Sequence, residues 1–416
     1  MEPGRFATRV ILRKTLGSPE GSDLNSTQHP RSPELRRAKV AVTAAFLAHA
    51  VVFSSWAAHI PQVKGDLGLD DGQLGTALFG APLGSVAATV CCHWALPRWG
   101  SRRLVPVLVA GYALAAMTVG LATSGLWLFA SLALWGAFQG GLDVAMNTSA
   151  GTVERLAGSP IMARFHGMWS VGALLGALIG AACVTAGIGL EPQLVFLGVL
   201  VLVVVRPLTR HLVAGEAVAA SPEARGRARI TPTVAILAAV AFASFLCEGA
   251  ATDWSANYVH DVIGAGPGLS ALSYAAYTLA MVAVRFGALR LHARVPARRL
   301  LPALALIAVV AMGVTLATAN PVLGVIGFAG LGVGVALLVP TAFSAAYGAG
   351  GGGSAIAIVA ATGWVGYLLG PPLIGHLAQW AGLSAALVVI PVVLAVTAIA
   401  IRFGTAFDAA DEFHRS

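Results

Sequence analysis

Charge is what this 416-residue chain has least of: Asp, Glu, Lys and Arg together make up 11% of it. A water-soluble chain of this length needs far more polar surface to cover its core. Cysteine is scarce as well. Cys91, Cys92, Cys183 and Cys247 all lie inside apolar runs without metal-ligand spacing, so neither a disulfide framework nor a zinc site is expected. Aromatic residues amount to 7%, and none interleave with a basic surface, which excludes nucleic acid as a partner despite a net charge of +8. The glycine run Gly348 to Ser354 lacks a Lys-Ser/Thr ending and follows no strand, so it is not a phosphate cradle. There is no His-Glu-x-x-His zinc set and no Gly-x-Ser nucleophile set beside a His, so the chain is not expected to be an enzyme or to hold a cofactor.

What is abundant is apolar. Hydrophobic residues make up 57% of the chain and the mean hydropathy is +0.81. Apolar runs of about 20 residues, each long enough to cross a hydrocarbon layer of ~30 Å, recur from Val40 to Phe403. They predict an all-α membrane protein with twelve transmembrane helices, near 39–60, 73–95, 103–122, 126–150, 164–187, 193–206, 233–258, 269–291, 299–318, 321–346, 354–379 and 384–403. The sixth is short as drawn and is expected to begin earlier or to tilt. The 49 glycines suit helices that approach closely in lipid, where no hydrophobic force drives them together.

Basic residues set the orientation. With the N-terminus inside, the loops that fall outside contain one of the 26 Lys and Arg residues, Lys64. The rest lie in tails, inner loops or inner helix ends, which places both termini in the cytoplasm of an inner-membrane protein. Arg5, Arg9, Arg13 and Lys14 are not followed by a signal-peptide core or cleavage site, so residues 1–38 are expected to be a disordered basic tail. A six-helix half over 39–206, a linker over 207–232 in contact with lipid, a second half over 233–403 and a tail over 404–416 complete the division. The halves look related. Trp56-Ala57-Ala58-His59-Ile60 pairs with Trp254-Ser255-Ala256-Asn257-Tyr258, and Gly172-Ala173-Leu174-Leu175-Gly176 pairs with Gly366-Tyr367-Leu368-Leu369-Gly370, at nearly the same offset.

Over about 39–403 the chain resembles the major facilitator superfamily. The segment Leu96-Pro97-Arg98-Trp99-Gly100-Ser101-Arg102-Arg103 is similar to that family's Asp-Arg-x-Gly-Arg-Arg loop between its second and third helices, which assigns a gating role to Arg98, Gly100, Arg102 and Arg103. Pro97 stands where the family has Asp. Further features are Trp56-Ala57-x-x-Ile60-Pro61 with Leu74-Gly75, Asp143-x-x-Met146-Asn147, Phe165-His166-Gly167-x-Trp169-Ser170 and Glu248-Gly249-x-x-x-Asp253-Trp254-Ser255. They resemble the fucose-permease-like and rhizopine-transport-like bacterial branch, whose members move sugars or other small polar solutes, often with protons.

Ionisable groups at membrane depth are costly and usually line a cavity. Gln139, Asp143 and Asn147 are spaced i, i+4, i+8 and form one polar stripe. Asp143 is the leading candidate for reversible protonation, and the resemblance makes a fourth-helix carboxylate a proton-coupling group. That branch's partner Asp in the first helix has no match; His49, Ser54 and Ser55 stand there instead. Glu248 is a second candidate, either protonatable or a hydrogen-bond acceptor for substrate. His49 is as consistent with packing as with substrate contact, and Trp56 and Trp254 with an aromatic belt as with stacking on a sugar ring. Asp253 is expected near the outer interface, His166 and Trp169 at a helix start, and Arg285 snorkelling to the inner surface.

These readings converge on a monomeric secondary transporter that moves a small-molecule solute with protons through alternating access, in contact with membrane lipids. Export of a metabolite or drug by proton antiport is the alternative in the same class; a polytopic channel or sensor is the alternative outside it. The topology is testable. A reporter fused after Ala265 is expected to face the exterior and one after Ala217 the cytoplasm; the reverse pattern would defeat the orientation.

Overall fold

The computed structural model describes residues 32–159, 161–213, 230–346 and 352–407. Most of the basic tail, residues 214–229 of the linker expected over 207–232, residues 348–351 of the glycine run and the end of the chain lie outside these. Among the described residues there is no strand, and twelve helices are long and apolar enough to cross a membrane. They are α1 (Pro33–Asp66), α2 (Asp71–Trp99), α3 (Ser101–Gly120), α4 (Gly125–Ala157), α5 (Met162–Thr185), α6 (Leu190–His211), α7 (Pro232–Val262), α8 (Pro267–Arg294), α9 (Ala297–Thr318), α10 (Pro321–Ala346), α11 (Ser354–Ala381) and α12 (Leu383–Phe403).

Every expected span is present, and most run further than their apolar cores. The sixth begins earlier than drawn, as expected, and extends through a π turn at Val201–Val205. The first starts at Pro33, inside the stretch read as tail, and passes through a 3-10 turn at Ala57–His59 before ending at Asp66. The seventh passes through a π turn at Tyr258–Val262. Polar side chains set the starts. Asp70 and Gln73 form a reciprocal cap on α2, Ser124 caps α4, Thr231 caps α7 ahead of Pro232, and Asn320 caps α10 ahead of Pro321. Between α2 and α3 the chain turns on the single residue Gly100, whose φ of 71° favours glycine.

An even number of crossings leaves both chain ends on one side, here called the terminus end; the short loops 67–70, 186–189 and 263–266 lie at the opposite loop end. Packing repeats with a period of six helices. α1 packs on α5 and α7 on α11; α2 packs on α4 and α8 on α10; α3 packs on α4 and α6, and α9 on α10 and α12. Contacts between the first six and last six helices obey the same exchange, α5 meeting α8 and α2 meeting α11.

Glycine makes the closest of these approaches. Gly172, Gly176 and Gly180 of α5 face the carbonyls of Leu47, Val51 and Ser55 of α1, so that both partners follow an i, i+4, i+8 ridge. A Cβ at Gly176 would stand 2.3 Å from the Val51 oxygen. On the repeat partner, a Cβ at Gly366 of α11 would stand 2.4 Å from the Phe242 oxygen of α7. The glycine motifs that matched in sequence therefore perform the same task in each half. Gly176→Val is expected to force α1 and α5 apart at a cost of about 1–3 kcal/mol. It should lower the midpoint in a thermal-unfolding assay in detergent, whereas Gly313→Ala, where a Cβ meets open space, should be neutral.

Candidate functional site

A cavity lies between the two sets of six helices. Phe53 and Trp56 of α1, Trp135 and Gln139 of α4, Asp253 of α7, and Trp364 and Tyr367 of α11 line it, with Ser85 of α2. Its aromatic walls come from α1, α4 and α11, whereas α7 contributes the carboxylate of Asp253. In the first half Trp135 stacks on Tyr112 of α3 at 5.7 Å and tilts against Phe53 at 6.3 Å. In the second, Trp364 meets Tyr367 edge-on at 5.8 Å and Phe245 at 5.5 Å.

The polar stripe expected on α4 is formed. Asn147 donates through Nδ2 to both the Asp143 carbonyl, at 2.9 Å, and its Oδ1, at 3.2 Å. Gln139 reaches the cavity wall, with Asp143 and Asn147 half-buried one and two turns nearer the terminus end. Opposite, Glu248 is half-buried on α7, and Thr252, whose hydroxyl donates to the Glu248 carbonyl at 2.9 Å, lies beside the hydroxyls of Tyr274 and Tyr367. Ser54 of α1 also stands beside Tyr274 of α8. Asp253, expected near the interface, is buried in the cavity wall, because α7 continues nine residues past it to Val262 and the outer ends close over it.

His49 is buried in the first half. Its Nδ1 accepts from Trp169 Nε1 at 3.1 Å, its ring stacks on Tyr112 at 5.2 Å, and Tyr112 donates to its backbone carbonyl at 2.8 Å. The neutral imidazole therefore carries its proton on Nε2, which has no hydrogen-bond partner and faces the Gln139 carbonyl. His49 thus joins α1, α3 and α5 directly behind the α4 stripe. Trp56 lines the cavity, whereas its repeat partner Trp254 is wholly enclosed by neighbouring helices. Arg285, expected to snorkel, bonds a neighbouring helix. Pro340 has no N–H to offer the Ala336 carbonyl, α10 breaks at that point, and Arg285 Nε donates to this oxygen at 3.2 Å.

At the loop end the cavity is shut. Lys64 Nζ lies 2.6 Å from Asp71 and 2.6 Å from Asp261, tying α1, α2 and α7 together. Asp70 accepts from Gln379 of α11 at 3.3 Å, and a Cβ at Gly75 would stand 2.5 Å from the Pro371 carbonyl of α11. α2 meets α11 chiefly through residues 71–78, and α4 makes no extensive contact with α10, so the halves diverge toward the terminus end.

A twelve-helix bundle with a six-helix repeat and a central cavity closed at one end is a carrier architecture, and comparison with known proteins agrees. The sequence profile of the Major Facilitator Superfamily matches residues 41–349. The chain belongs to this superfamily. An uncharacterized MFS-type transporter of Yersinia pestis is 28% identical over 88% of this chain and 95% of its own. An uncharacterized transporter, y4wD, of Sinorhizobium fredii is 30% identical over 86% and 96%. The membrane protein MosC of Rhizobium meliloti is 29% identical over 87% and 89%. Among solved structures, the nucleoside transporter NupG superposes with a TM-score of 0.67 at 12% identity, covering 88% of this chain and 98% of its own. An inward-facing, occupied bacterial homolog of the human lysosomal transporter Spinster gives 0.62 at 15% identity, covering 94% and 97%. These two share the fold. The chain is a multi-pass membrane transport protein of the plasma membrane, not an enzyme.

In this superfamily member the loop at Gly100 lies at the terminus end. Arg98, Arg102 and Arg103 are exposed there, and Arg98 bonds its own helix at the Trp94 carbonyl. Trp135, Trp364, Tyr367 and Phe53 were not singled out by sequence. Trp135 could have been, since it extends the stripe of 139, 143 and 147 by one more turn. The ion-paired closure gives a test. In a variant without the four native cysteines, Gln139→Cys should be labelled slowly by an impermeant maleimide applied at the loop end. Adding Lys64→Ala, which removes two partly buried ion pairs, should speed labelling roughly fivefold or more; an unchanged rate would show that the pairs do not hold this end closed.

Proposed function

We propose that this protein is a secondary active transporter that carries a small polar solute, a sugar-like compound or another metabolite, across the inner membrane by alternating access coupled to protons. One observation carries the reading. The contacts that close the cavity are short, polar or glycine-mediated and lie at the loop end, while the opposite end is splayed. Contacts of that kind can be exchanged for an equivalent set at the other end without unpacking either half. The orientation follows from the basic residues, which make the open end cytoplasmic and this state inward-facing.

Protons are the coupling ion because of the acids. Asp143, Glu248 and Asp253 lie at membrane depth without an ion pair among the described residues. Moving the cavity through an occluded state with bare carboxylates is costly, so each must be neutralised by a proton or by the solute. Asp143 is the coupling residue on this reading: it lies on the open side, and Asn147 holds its carboxylate for solute or solvent to reach. Glu248 and the Tyr274 and Tyr367 hydroxyls supply acceptors and donors for a polar solute, with Gln139 facing them.

In proteoliposomes with an imposed proton gradient, Asp143→Asn is expected to reduce accumulation to the equilibrium level while solute exchange stays within about tenfold of the parent. Accumulation that survives with its pH dependence intact would refute the coupling role.

A further inference from the structure

The aromatic cavity has a chemical preference that its lining decides, and the argument rests on the transport reading above. Asp253 is 8% exposed, and its carboxylate makes neither a hydrogen bond nor an ion pair among the described residues. The bond from Asn257 goes to its backbone carbonyl. A buried carboxylate left without a partner by its own protein is a site for one supplied from outside. Arg285 is engaged on the Ala336 carbonyl and Lys64 on Asp71 and Asp261, and neither lines the cavity.

The surroundings favour one kind of partner. Trp135 and Trp364 come from opposite halves, each fixed by aromatic neighbours, so their faces are presented rigidly. An aromatic face attracts positive charge, Trp most strongly. Apart from Asp253 the lining offers Gln139, Ser85, Tyr367 and the tryptophan N–H groups as polar groups and no basic side chain, so the one formal charge on the wall is negative. The geometry points to a compact organic cation, an amine-derived or quaternary ammonium group, as the part of the solute that sits on Asp253 between the two tryptophans.

Choline and its uncharged carbon isostere 3,3-dimethylbutan-1-ol have nearly the same shape and differ in charge, which makes them suitable probes. Titrated into the purified full-length protein and followed by calorimetry, choline is expected to bind at least tenfold more tightly than the isostere. Asp253→Asn should erase that difference and Asp253→Glu should retain it. Trp364→Ala should weaken choline about fivefold without restoring the isostere. If Asp253→Asn does not fold, the Trp364→Ala result and competition by tetramethylammonium decide the matter. Equal binding of the two probes, absence of choline binding, or a preference that survives Asp253→Asn would overturn the assignment. The two readings fail separately: accumulation of a neutral polyol in proteoliposomes, unaffected by choline, leaves the transporter standing and removes the cation site, whereas choline binding without movement of any solute does the reverse.

Discussion

Hydrocarbon offers no partner to a peptide N–H or C=O, and the rest of this structure depends on that. Each crossing segment must bond its backbone internally, so each is a helix, and association has to come from shape rather than from exclusion of water. Glycine supplies the shape. Gly172, Gly176 and Gly180 let α5 lie against the α1 carbonyls, and Gly80, Gly84, Gly136 and Gly140 do the same between α2 and α4. The first six and the last six helices each pack closely among themselves, and a cavity lies between the two sets.

Three departures from regular helix lie in the helices that build the cavity or in a neighbour of them. The 3-10 turn at Ala57–His59 follows Trp56 of the cavity wall, and the π turn at Tyr258–Val262 leads to Asp261 of the closing cluster. Pro340 frees the Ala336 carbonyl, and Arg285 takes it up. A half-buried cation thereby completes the bonding of α10.

The two halves repeat in packing but not in chemistry. His49 with Tyr112 and Trp169 stiffens the first half behind the Asp143 stripe; the second places Glu248 and Asp253 among tyrosine hydroxyls. The repeat copies the backbone approach, which tolerates little change, and leaves the cavity-facing side chains free to diverge. Trp56 and Trp254 illustrate it: equivalent in register, one lines the cavity and the other is packed away.

Number of crossings, fold, the glycine repeat and the α4 stripe were all legible in the sequence, because each is a local property: run length or spacing along one helix. Contacts across segments were not. Nothing in the spacing of Lys64, Asp71 and Asp261 says that they meet, and nothing ahead of α7's full length says that Asp253 is enclosed rather than at the rim. Trp135 and Trp364 come together only because two halves converge at one end. Local bonding follows from the order of residues; which side chains share a cavity follows from how rigid helices are placed against one another, and only the tertiary structure decides that.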